Sequence, residues 1–157
     1  MKKYLFLITL LSSILLSGQT FQKTKNMKSY KGFFNFYYDE SNDKIFIVVD
    51  NLDEDFLYVN SLAAGLGSND IGLDRGQLGA TAVVKFKKAG NKLLLIQPNL
   101  KYRAITDNVE EKKSVEEAFA QSVLFGFEIL ETKAKKYLID ASKFFLRDAH
   151  GVSSSLK

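Results

Sequence analysis

The sequence predicts an α+β fold, mainly antiparallel β-sheet with one well-marked amphipathic helix. Three observations carry that reading. Short runs of apolar residues alternate with polar ones, and clusters of Asn, Asp, Ser and Gly separate them at hairpin spacing. One later segment changes to helical period. Strands joined by tight turns, with a helix set apart, make an antiparallel sheet rather than a parallel one.

The chain opens with Met1, Lys2 and Lys3, followed by an apolar run from Tyr4 to Leu16 and then Ser17, Gly18, Gln19 and Thr20. Positive charge, apolar run and small residues in that order predict a signal peptide over residues 1–18, cut after Gly18 or Gln19. The run is shorter than the ~20 residues a membrane-spanning helix needs. Residues 19–31 are polar and basic without periodicity and read as a flexible leader. A single β-rich domain is expected over 32–152, with 153–157 a disordered or truncated end.

Within that domain, Phe33 to Tyr38 is dense in aromatics and reads as a strand ending in the turn residues Asp39 to Asp43. Lys44 to Asp50 follows, apolar on both faces, as a central strand would be. Phe56 to Asn60 is a third strand. Ala63 to Ala80 is a long irregular segment holding Gly65, Gly67, Gly72, Gly76 and Gly79. Thr81 to Lys87 and Lys92 to Gln97 form a hairpin about Ala89, Gly90 and Asn91, and Pro98 ends it.

The helix is placed from Ser114, where Ser114 and Glu117 make a capping box. Val115, Ala118, Phe119, Ser122 and Val123 share one helical face, and Gly126 stands where a terminating glycine belongs. Burying Val115, Phe119 and Val123 would contribute roughly 1.5–3 kcal/mol each. A start near Asn108 would add charged turns. Phe127 to Thr132 and Lys136 to Ile139 read as a last hairpin. Asp140 or Ser142 caps a short turn through Leu146.

Composition narrows the function. The chain has no Cys, which excludes disulfides and a lipid-modified N-terminal cysteine. Half of the net charge of +4 comes from Lys2 and Lys3, leaving too even a balance to argue for nucleic acid or an acidic membrane surface. With one His and no Cys, an ordinary structural zinc site cannot be built. His150 reads as a surface or packing residue. No G-x-S-x-G elbow, Gly-Lys-Ser/Thr or complete dinucleotide fingerprint occurs; Asp70 stands where the third glycine would be. No catalytic constellation emerges. The glycine-rich segment sets Asp70, Asp74, Arg75 and Gln77 in a loop of about 18 residues, long enough to be functional.

Four segments carry a resemblance: FLYVNSLAAGLGSNDIGLDRGQLG from Phe56 to Gly79, LIQPNLKYR from Leu95, VEEAFAQSV from Val115 and FLRDAHGV from Phe145. They resemble the N-terminal region of exported zinc-dependent metalloproteases. In that family, domains of unknown function 5118 and 5117 precede a metzincin-like peptidase domain. The resemblance implies a chain truncated before the catalytic domain. It implies no catalytic or metal residue here, and zinc only in the missing peptidase domain. The implied partner is that downstream domain, in the same polypeptide or a relative. Neither nucleic acid nor stable membrane insertion after signal removal is expected. Asp70, Asp74, Arg75 and Gln77 are the candidate docking or cleft loop. A free-standing secreted peptide- or glycan-binding module is the alternative.

Overall fold

The computed structural model describes residues 21–65 and 72–156. The expected signal peptide over 1–18 lies outside them. Eight strands pair antiparallel throughout: β1 (Lys28–Tyr30), β2 (Phe36–Asp39), β3 (Lys44–Val49), β4 (Phe56–Tyr58), β5 (Ala82–Ala89), β6 (Lys92–Gln97), β7 (Ser122–Lys133) and β8 (Lys136–Asp140). Among the described residues three α-helices accompany them: α1 (Val109–Ala118), α2 (Ser142–Phe145) and α3 (Val152–Ser155). No helix among the described residues is long and apolar enough to cross a membrane.

The chain divides into two compact units. The first holds residues up to Asp50 together with Ile129–Asp140; the second holds Asn51–Glu128 and Ala141 onward. The long strand β7 gives its second half to the first unit and its first half to the second.

In the first unit the ladder runs β1-β2-β3-β8, with the end of β7 beyond β8. β3 lies between β2 and β8, which explains its apolar residues on both faces: Phe46 and Val48 on one, Ile47 and Val49 on the other are all buried. Phe46, Val48 and Leu138 form a cluster with Phe21, and Met27, Tyr37 and Leu130 pack against it. Phe21 falls in the stretch read as a leader, yet it is 2% exposed. A short 3-10 turn, Gln22–Thr24, follows it, and the amides of Gln22 and Lys23 donate to the Glu131 carboxylate. One buried aromatic without periodic neighbours leaves no sequence pattern, so this segment reads as polar.

In the second unit β4, β5, β6 and the start of β7 pair in that order. Phe56, Val84, Phe86, Leu93, Leu95, Phe125 and Phe127 occupy one face by register. The Phe144 ring of α2 meets Phe125 and Phe127 edge-on at 5.3 and 5.5 Å between centroids.

The expected amphipathic helix is corrected here. α1 begins at Asn108, whose Oδ1 accepts from the Glu110 amide, and it buries no residue. Ser114 lies inside it, so the capping box is not a cap. Glu110 and Glu111 favour this start by facing the helix dipole. Phe119 ends the helix and stacks on Tyr102 at 4.1 Å. Val123 and Gly126 belong to β7, opposite Ile96 and Leu94. The alternation through Phe125 and Phe127 claims this stretch for the sheet, because each ring then reaches the core. Mainly antiparallel β describes the fold; a packed helical face does not.

Candidate functional site

The glycine-rich loop folds back on itself through its backbone. Ser61 bridges Leu78, the Gly79 amide donates to Asn60 O (2.8 Å), and the Leu62 amide donates to Gln77 O (2.9 Å). The Gly76 amide returns to Leu62 O at 2.7 Å. Gly76 has φ +80°, a conformation only glycine adopts without strain. Gly65 answers a different need: a Cβ there would lie 2.7 Å from the Arg75 nitrogen. Of the four expected loop residues, Asp70 lies outside the described residues. Asp74, Arg75 and Gln77 sit on the returning limb; Asp74 is half-buried, and Arg75 and Gln77 are exposed.

The same limb meets the C-terminal segment. The Asn60 side chain stands against Gly79 and donates through Nδ2 to Ala149 O (3.3 Å). Beyond α2, the Arg147 guanidinium lies 4.4 Å over the Phe144 ring and donates to the Tyr58 hydroxyl at 3.1 Å. Asp148 accepts from the amides of Val152 and Ser153, both at 2.9 Å, and from the Ser153 hydroxyl at 3.0 Å. The Ser153 and Val152 amides hold its carboxyl below the usual carboxylate range. Gly151, at φ +66°, makes the turn that lets these amides point back at Asp148.

These two segments enclose a cleft of about 430 Å³. Val59, Phe145 and Val152 give it apolar walls; Ser61, Arg147 and His150 give it polar ones. His150 Nε2 is buried and has no hydrogen-bond partner among the described residues. Tyr58 and Arg147 both lie in segments that carry the resemblance, but spacing alone could not bring them together. Tyr58 and Arg147 are separated by 89 positions, and neither stands in a chemical motif. The arrangement supplies hydrogen-bond donors and a cation beside apolar surface, which suits binding. Among the described residues, no group of three or more His, Cys, Asp or Glu could hold a metal.

A search among curated proteins and among solved structures finds no match to this chain. Two family models do match. Residues 19–65 match a domain of unknown function, DUF5118. Residues 76–157, more than half of the chain, match a second domain of unknown function, DUF5117. The cleft draws one wall from each matched region, Tyr58–Leu62 from the first and Phe144–Val152 from the second. The chain belongs to the DUF5117 family, with a DUF5118 region ahead of it.

Proposed function

We propose that this chain is a non-catalytic N-terminal module of an exported zinc-dependent metalloprotease, packing on and supporting the peptidase domain. The observation that supports this most is a pair of exposed apolar side chains, Leu57 and Val123, on the sheet of the second unit, on a face that also carries Lys85, Lys87 and the buried Ile96. Register places Leu57, Val83 and Val123 opposite the aromatic core, and Leu57 and Val123 are 66% and 58% exposed. Exposed apolar surface of this kind marks interaction sites. Leu57 lies on β4, the last strand of its ladder, whose outer edge can take another strand. Leu78, also exposed, is a further apolar side chain on the loop that carries Arg75 and Gln77. In this reading the zinc belongs to the peptidase domain, and residues 1–18 direct export.

The test uses a full-length relative. Alanine at the positions of Asp70, Asp74, Arg75 and Gln77 should lower peptidase activity or secretion. Unchanged activity at normal yield would count against the reading. Leu57→Asp should abolish co-purification of this chain with a separately expressed peptidase domain. The cleft of the second unit favours a second reading, a free-standing peptide-binding module. Stable secretion of the chain with no affinity for any peptidase domain would select it.

A further inference from the structure

We propose that the cleft between residues 58–62 and 144–152 binds a carboxylate carried by an apolar peptide residue. This goes beyond the docking reading and does not depend on it. The argument begins with Arg147. Its guanidinium is fixed by the Phe144 ring beneath it and by one donation to the Tyr58 hydroxyl, which leaves further N–H groups of the same fork. A planar, two-oxygen anion matches that fork.

His150 lines the same cleft. Its Nε2 is buried and has no hydrogen-bond partner among the described residues. The imidazole therefore reports on the cleft as one of its walls, and the anion's polar partner there is the Arg147 guanidinium. Asp148 is the acid nearest in sequence, and its two oxygens are engaged by Val152 and Ser153. It therefore does not occupy the fork, but its charge disfavours a dianion such as phosphate. A singly charged carboxylate fits better. Val59, Phe145 and Val152 then offer the apolar wall, and about 430 Å³ accommodates one or two peptide residues.

The chain has one histidine, so its Hε1 resonance reports on this cleft alone. The purified protein is titrated with N-acetyl-leucine and, separately, with N-acetyl-leucinamide, which has the same side chain and no charge. The acid should move the His150 resonance saturably and the amide should not. Arg147→Gln, checked for fold by circular dichroism, should weaken the acid by about ten-fold or more. A third titration with N-acetyl-glutamate α-amide separates a side-chain carboxylate from a terminal one; the tighter of the two acids names the source. An equal response to the leucinamide, or no saturable response to either acid, overturns the proposal. Because the amide control uses the unaltered protein, this outcome stands even if the Arg147 variant does not fold.

Discussion

Asp148 fixes the last turn of the second unit with three hydrogen bonds to one carboxylate. Its folded value lies below that of an unfolded carboxyl, because the Ser153 and Val152 amides favour the charged form. The sign follows from linkage: its contribution is present above the unfolded value and lost as pH falls through the depressed folded one. The 148–153 turn should open only at strongly acid pH. The Ser153 amide resonance should shift there, and Asp148→Asn should remove that step; a flat profile in the unaltered protein would refute the assignment. Gly65 carries the second residue-scale prediction. Gly65→Ala drives a methyl toward the Arg75 backbone nitrogen, which cannot rotate away as a side chain would. Overpacking of this kind costs about 1–3 kcal/mol, read as a lower denaturation midpoint. The loop was visible in the sequence as a concentration of glycine. What each glycine does was not, since Gly65 is required by a contact with a residue ten positions on, whereas Gly72 and Gly76 are required by positive φ.

At the scale of the element, β7 and β8 are joined by Ala134 and Lys135, both left-handed at φ +47° and +64°. Two-residue hairpin loops need that conformation to match strand twist, and Asn-Gly adopts it most readily. For residues with a Cβ it costs roughly 1–2 kcal/mol each. The double replacement Ala134→Asn and Lys135→Gly should therefore stabilise the chain by about 1 kcal/mol, measured by chemical denaturation; a lower midpoint would show that the turn is not the strained element. The flanking strands were legible from their alternation, but Ala-Lys carries no turn chemistry and gave no sign of the turn's type. The opposite failure befell the helix. Ser114 with Glu117 looked like a cap, while Asn108 held the true one. The helical period then sets Val123 on a buried face, although it stands exposed on β7. Local spacing could not see that Phe125 and Phe127 have Phe144 to pack against. Val123→Thr should consequently change stability by no more than about 0.5 kcal/mol, well below the loss a buried valine would bring.

At the scale of the molecule, the family boundaries and the folding units disagree, and the disagreement has a physical consequence. The DUF5118 match ends at residue 65 and the DUF5117 match begins at 76, yet the first unit joins residues up to Asp50 with Ile129–Asp140. β3 from the first match pairs with β8 from the second through four residues, Phe46 to Val49 against Asp140 to Tyr137. Leu138, fully buried, completes the cluster of Phe21, Phe46 and Val48, and Glu131 caps the turn that follows Phe21. Cut at residue 65, the first region keeps only β1 to β4 and loses Leu138 and Leu130 from its core. A three-stranded remnant of the first ladder, with its central strand turned into an open edge, has too little buried surface to offset chain entropy. The second region alone loses β4 and leaves one edge of β8 unpaired. Expressed separately, residues 21–75 and 76–157 should each be insoluble or lack a dispersed amide spectrum. Co-expressed, they should co-purify and recover it, because the β3–β8 ladder can form between two chains as well as within one. Leu138→Asp should block that recovery. Independent cooperative folding of the first fragment would mean that the DUF5118 region is a domain in its own right and that β8 only docks upon it.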